Sequence, residues 1–383
     1  MVAGETSGDL LAASVIGALR RREPQAALFG IGGPAMQAAG FEAWWPSETL
    51  AVRGYAEVLR HYPRLLALRR TLRRRLLERR PDVFVGVDAP DFNLGLEARL
   101  RAAGMRTAHF VSPSIWAWRR GRIERIRRAV DLMLVLFPFE SAIYREAGIT
   151  AEYVGHPLAD VIDPDADATA ARRALGLGET GTVIAILPGS RASEVQYNGD
   201  AFIGATHWLA ARRPDAVFLV PAATPRLREM LDARLRASRP PQGGAADIRL
   251  LDGQSHRALE ACDGAIVASG TATLEAALYR RPMVIGYRMH PWSYRLMRRM
   301  AYLPHIGLPN ILCGEALVPE YVQHEATPQA LGAGLLRLLE DPGRCERLRS
   351  RFEELHRTLR RGCGERSAEA LLALARASAS ATR

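Results

Sequence analysis

Hydrophobic positions fall into short runs along the first part of the chain, at 27–31, 83–87, 107–111 and 132–136, each followed by a stretch with helical spacing of apolar residues. Brief apolar runs alternating with amphipathic segments predict an α/β fold with a parallel sheet and crossover helices. A second series of the same kind occupies 183–187, 216–220, 248–251, 265–268 and 283–286. An Asp-, Pro- and Ala-rich connector at 160–171 separates the two series, and 240–246 is the other turn-rich stretch. The pattern predicts two Rossmann-like domains, 1–162 and 163–340, then C-terminal helices at 341–383 that return to the first domain or to a partner subunit. Only Met1, Val2 and Ala3 precede the first turn, so the first strand reads as clipped.

Charge narrows the chemistry. The 383 residues carry 52 basic against 41 acidic side chains, a formal +11, which favours an anionic partner. All the basic residues are arginine, which excludes Schiff-base chemistry, pyridoxal anchoring and a P-loop of the Gly-Lys-Ser/Thr form. Cys262, Cys313, Cys345 and Cys363 lie far apart, without metal-ligand spacing, and the scattered histidines form no zinc or iron motif, so neither a metal nor a cofactor is expected. The chain opens without a secretion signal, and its longest nearly apolar stretch, 132–139, is far shorter than the ~20 residues of a spanning helix. A cytoplasmic protein, free or peripherally bound to a membrane, is the expectation.

Three segments carry candidate chemistry. Leu187-Pro188-Gly189-Ser190-Arg191 follows an apolar run, and its glycine and planar guanidinium suit a diphosphate, although an ordinary strand-to-helix turn has the same composition. Ser269, Gly270, Thr271 and Thr273 follow another apolar run and open a helix whose N-terminal N–H groups suit an anion, with Glu275 placed to accept ribose hydroxyls. Ser269 or Thr271 as a plain cap is compatible with that reading. Asp88 ends the run 83–87 just before Pro90, at the crevice edge of an open sheet, where a carboxylate can serve as a base; Asp91 competes with it, and a turn or cap role fits either.

Leucines and arginines interleave at 58–80, including Leu65, Leu66, Arg69, Leu72 and Arg73, as in a helix lying on an anionic membrane; a core stripe with a solvated basic face fits as well. Trp116 and Trp118 beside arginines, and the segment 287–300, repeat the aromatic and basic theme of bilayer interfaces. Nucleic acid is the other anionic surface, but no RNA- or DNA-binding signature is present, so it stands only as the non-enzymatic alternative.

The motifs taken together resemble the lipid-A-disaccharide synthase family: Val2-Ala-Gly-Glu-Thr-Ser-Gly-Asp9, Gly86-Val-Asp88-Ala-Pro-Asp-Phe-Asn93, Val111-Ser-Pro-Ser-Ile-Trp-Ala-Trp118, Leu187-Pro-Gly-Ser-Arg191, Ala268-Ser-Gly-Thr-Ala-Thr-Leu-Glu275 and Leu308-Pro-Asn310. The resemblance runs from Val2 to about His356. It implies a GT-B glycosyltransferase, two Rossmann-like domains facing across a cleft, that moves 2,3-diacylglucosamine from UDP-2,3-diacylglucosamine to 2,3-diacylglucosamine 1-phosphate. The products are a β(1→6) disaccharide and UDP. It further implies Asp88 as base on the acceptor 6-hydroxyl, with Ser7 near the cleft, Arg191 at the diphosphate, and Glu275 and Asn310 at UDP. Leaving-group stabilisation by arginine and helix-terminal N–H groups would replace a metal. Attachment to the inner membrane and a homodimer through the C-terminal helices are expected as well. A UDP-sugar epimerase or an N-acetylglucosaminyltransferase is the rival enzyme reading, against which the Asp88 segment speaks.

Overall fold

The computed structural model describes residues 1–4, 6–50, 55–116, 120–238, 246–300 and 302–381. The chain divides into two compact units, the first made of Met1–Asp160 with Leu359–Arg383 and the second of Val161–Thr358.

In the first unit seven parallel strands are β1 (Val2–Ala3), β2 (Phe29–Gly32), β3 (Glu42–Pro46), β4 (Val83–Val87), β5 (Arg106–Phe110), β6 (Leu132–Val135) and β7 (Ala151–Tyr153), in the order β3-β2-β1-β4-β5-β6-β7. Apolar runs without alternation form strands covered on both faces, which is why β6 is buried throughout. The strand order reverses between β1 and β4, and the crevice outside their carboxyl ends is where such sheets hold ligands. The first strand is only two residues long, yet it lies inside the sheet between β2 and β4 with both residues fully buried.

The last helix, Cys363–Ala381, belongs to this unit because Asp160 anchors its start: the carboxylate accepts the N–H groups of Gly362 and Cys363 at 2.9 and 2.6 Å. Arg22 then pairs with Glu365 and Glu369 at 2.9 and 2.6 Å. Gly364 permits the close approach, since a Cβ there would come within 2.8 Å of the Ser14 carbonyl. The expected returning segment 341–383 is therefore too long. Residues 341–358 stay with the second unit, where Cys345 Sγ–H donates to Leu338 O at 3.0 Å and Arg351 pairs with Glu315 at 2.7 Å.

The second unit has six parallel strands, β8 (Val183–Leu187), β9 (Val217–Ala222), β10 (Asp247–Asp252), β11 (Gly264–Ala268), β12 (Met283–Tyr287) and β13 (Glu320–Val322), in the order β10-β9-β8-β11-β12-β13. Its reversal lies between β8 and β11, both wholly buried. Among the described residues no helix is long and apolar enough to cross a membrane.

Two membrane assignments are overturned by burial. Leu72, with Leu76, packs into the core of the first unit against Val2, Ile31 and Phe84, because the helix Tyr55–Arg79 turns its apolar stripe to the sheet. Leu65 and Leu66 are half-buried, as are Arg69 and Arg73, with the Arg69 guanidinium lying across Gly95. Trp118 lies outside the described residues. Trp116 is buried: its Nε1–H donates to Glu140 at 2.8 Å, and its ring packs edge-on against Phe137 and Phe139. An indole with its N–H satisfied gains more from the core than from an interface.

That aromatic cluster contains two buried titratable groups. Burial pushes the Glu140 carboxyl up to about 7 and the His156 imidazole, stacked on Phe137, down to about 4. Between about pH 4.5 and 7 the native chain therefore holds more of a proton at Glu140 than the unfolded chain does, so this group costs stability as pH rises. His156 has the opposite sign and costs stability as pH falls from about 6.5 to about 4. Glu140→Gln should remove the first effect: in urea unfolding, its stability relative to the parent rises by about 3 kcal/mol from about pH 4 to about pH 8. A difference that stays flat over that range would contradict a carboxyl held protonated by burial.

Candidate active site

At the switch point of the first unit the turns after β1 and β4 lie side by side, with Ala3 in register with Val87. Gly4 fits against Ala89, where a Cβ would come within 3.1 Å of the alanine methyl, and Ser7 stands exposed in the first turn of the helix Thr6–Arg22. Asp88 and Ala89 both take left-handed backbone conformations, φ 50° and 42°, although neither is glycine. Such residues cost about 1–3 kcal/mol each and persist only where their surroundings over-determine them. The restraints are explicit: Asp88 N–H donates to Phe110 O at 2.9 Å, and the buried Asn93 carboxamide donates to Asp88 O at 2.9 Å. The Asp88 side chain is half-exposed at the crevice.

Asp91, the competing carboxylate, is engaged elsewhere, pairing with Arg122 at 2.9 Å. Behind Asp88, on the inner face of the helix Pro90–Arg101, the Glu97 carboxylate meets His109 Nδ1 at 2.7 Å, both fully buried. Burial pushes Glu97 up, with the facing imidazole pulling it down. Nothing in the sequence marks this pair except a glutamate four residues after Asn93 on the same helical face.

At the switch point of the second unit the strand ends enclose a cavity of about 420 Å³. Gly189, Ser190 and Arg191 after β8 and Ser269, Gly270, Thr271 and Glu275 after β11 line it, with Gly253 and Ser255 from the turn after β10. Gly189 is required twice over, by φ 135° and by Glu194, whose Cβ would lie 2.4 Å from a Cβ at this position. The Glu194 carboxylate accepts the N–H groups of Ser190 and Arg191 at 2.8 and 3.2 Å and one arm of the Arg191 guanidinium at 3.1 Å. The turn's own donors are thus capped by a side chain, while the arginine head remains largely exposed at the cavity rim.

The helix Thr271–Leu278 brings its first turn to the same space, with Gly270 at φ 140° letting the chain enter steeply. N–H groups at such a terminus lack carbonyl partners within the helix and carry partial positive charge. Glu275 lies one turn in, raised by burial and opposed by His256, whose Nε2 is 4.0 Å away.

Three expected donor contacts do not line this cavity. Pro188 offers its carbonyl to the buried Asn198 at 3.1 Å. Thr273 is buried, its hydroxyl donating to Gly270 O at 2.8 Å and accepting Leu308 N–H at 3.3 Å. Asn310 is fully buried with its carboxamide consumed internally, donating to Val318 O and Glu320 at 2.9 and 2.8 Å and accepting Val318 N–H at 3.0 Å. Its effect is on position, because Glu320 also accepts Ile306 and Gly307 N–H at 2.9 Å, and Ser269 Oγ–H donates to Ile306 O at 2.9 Å. This chain of contacts ties the loop before Leu308 to the Ser269 turn. Among the described residues no three His, Cys, Asp or Glu side chains converge to hold a metal ion.

Solved structures of similar fold include two complexes with UDP-sugars. A UDP-GlcNAc 2-epimerase from Neisseria meningitidis bound to UDP-GlcNAc superposes with a TM-score of 0.64 at 13% identity, covering 97% of this chain and 98% of that one. Anabaena Alr3699/HepE in complex with UDP-glucose gives 0.58 at 14% identity over 97% and 98% of the two chains. Those likenesses establish a GT-B-like pair of parallel-sheet units.

Sequence relatives are far nearer. The lipid-A-disaccharide synthase of Azoarcus sp. (strain BH72) is 54% identical over 99% of this chain and 96% of its own length. That of Thiobacillus denitrificans (strain ATCC 25259 / T1) is 54% identical over 97% and 98%. The family model described as lipid-A-disaccharide synthetase matches residues 1–374, and with relatives at this identity along nearly the whole length, the chain belongs to the lipid-A-disaccharide synthase family.

Proposed function

We propose that the chain transfers 2,3-diacylglucosamine from UDP-2,3-diacylglucosamine to the 6-hydroxyl of 2,3-diacylglucosamine 1-phosphate, releasing UDP and a β(1→6) disaccharide. The single observation that carries the reading is the identity of 54% over 99% of the chain with a lipid-A-disaccharide synthase. The cavity at the β8/β11 switch point supports it with the groups a departing diphosphate needs: the Arg191 guanidinium and the N-terminus of the helix Thr271–Leu278.

In this reading the donor's α-linked carbon is attacked by the acceptor oxygen as the bond to the diphosphate breaks, and Asp88 takes the hydroxyl proton. One displacement inverts the anomeric centre, so no covalent nucleophile is required. Arg191 and the helix N–H groups stabilise the developing diphosphate charge without a metal. Glu275 accepts from the ribose, Ser7 borders the acceptor position, and Asn310 acts by holding Glu320. Both substrates carry acyl chains, so attachment to the cytoplasmic face of the inner membrane belongs to the same proposal. UDP release that requires the acceptor tests it: release from donor and water alone would favour a different UDP-sugar reaction.

A further inference from the structure

The helix Pro291–Met300 of the second unit has no buried residue. Of the six large apolar side chains exposed among the described residues, four lie here or just beyond: Trp292 at 71%, Leu296 at 61%, Met297 at 45% and Tyr302 at 50%. At 100° per residue Leu296, Met300 and Met297 occupy one side with Trp292 at its edge, and Arg299, Arg295 and Arg298 follow next to Trp292, flanking that face. An apolar face of this kind normally packs on a core, and this one does not.

Charge says what covers it. From 276 to 314 the sequence has six arginines and no Asp or Glu, and none of the three helix arginines forms an ion pair among the described residues. Arg295 instead leans over the Trp292 ring, 5.4 Å from its centroid, and Arg298 stands 6.0 Å from that of Tyr294. A protein–protein interface core is depleted in charge, whereas a tryptophan- and leucine-bearing face flanked by guanidinium groups matches the boundary between lipid tails and phosphate headgroups. Guanidinium pairs well with phosphate, and each basic residue adds attraction to an anionic surface.

We infer that this helix docks the second unit on an anionic bilayer, lying in its plane with Trp292, Leu296 and Met297 among the acyl chains and the three arginines on lipid phosphates. The inference deepens the proposed reading, in which acylated substrates are taken from a membrane. It adds a contact to that of the candidate helix at 58–80, of which Leu72 is core.

The test is flotation with vesicles of phosphatidylethanolamine and phosphatidylglycerol, and with phosphatidylcholine alone. The full-length protein is compared with Trp292→Ser/Leu296→Ser/Met297→Ser, with Arg295→Gln/Arg298→Gln/Arg299→Gln, and with Leu65→Ser/Leu66→Ser. The parent should float with the anionic vesicles and the serine variant should be recovered there at least about tenfold less. The glutamine variant should lose the preference for anionic lipid and its salt sensitivity. UDP release from detergent-dispersed substrates should be unchanged in both, which shows that each folds. Equal recovery of the serine variant and the parent, or loss confined to the Leu65/Leu66 variant, overturns the inference. Flotation of the parent without any UDP release would overturn the reaction reading and leave this one standing.

Discussion

Asp88→Asn should lower kcat for acceptor-dependent UDP release by about 10³-fold while leaving the affinity for UDP unchanged, because general-base catalysis contributes about 10²–10⁴ and the residue lies outside the unit that carries the diphosphate cavity. The substitution keeps the side chain's size and leaves the restraints on its backbone in place, the bond to Phe110 O and the Asn93 clamp. The left-handed backbone at this position tolerates asparagine at least as well as aspartate. Loss of kcat therefore reports the carboxylate's chemistry. Asp91→Asn is the control and should fall less than about threefold, since Asp91 is turned to Arg122. Comparable losses in the two variants would remove Asp88 from the mechanism.

The reciprocal result is expected in the second unit. Gly189→Ala should weaken UDP binding by at least about tenfold, because alanine must adopt a glycine-type φ of 135° at a cost of about 1–3 kcal/mol and its methyl would overlap Glu194. Relief requires the turn to move, and with it the Glu194 carboxylate that organises Ser190 and Arg191. Arg191→Gln carries no backbone strain and isolates the guanidinium, so it should also weaken UDP, with unchanged urea unfolding. Calorimetric titration with UDP measures both; unaltered affinity in both variants would place the diphosphate elsewhere.

Much of this architecture is legible in the sequence, and the exceptions have physical reasons. Interior strands such as β8 and β11 announce themselves as unbroken apolar runs because both faces are covered. The edge strands β7 and β13 are not visible as apolar runs because Ala-Glu-Tyr and Glu-Tyr-Val are short and only partly buried, and β3 because Glu-Ala-Trp-Trp-Pro is exposed at both ends and ends on proline. Asp88 is legible from a strand running into Pro90, yet choosing it over Asp91 needs Arg122, which lies 31 residues from Asp91. Leu72 and Trp116 are buried where the sequence predicts a membrane face, because composition gives an amphipathic helix or an aromatic cluster without saying which side the sheet occupies. The Leu72 and Leu76 spacing at i,i+4 was the available clue to a core stripe.

Residues that work through distant partners are the least legible. Glu320 organises a loop 13 and 14 residues upstream, and the Glu97–His109 pair joins a helix to the neighbouring strand β5. Asn310 illustrates the difference between a motif and its role. Its presence was legible, whereas the three internal hydrogen bonds that make it a positioning residue are visible only in three dimensions.

The central claim is direct transfer of the sugar to the acylated acceptor, with Asp88 as base and with arginine and helix N–H groups in place of a metal. The most direct test is UDP release from UDP-2,3-diacylglucosamine in detergent and excess EDTA, with and without 2,3-diacylglucosamine 1-phosphate, for the parent and Asp88→Asn. The account predicts release that depends on the acceptor, survives EDTA and collapses in the variant; release without acceptor, or release abolished by EDTA and restored by a divalent cation, would contradict it.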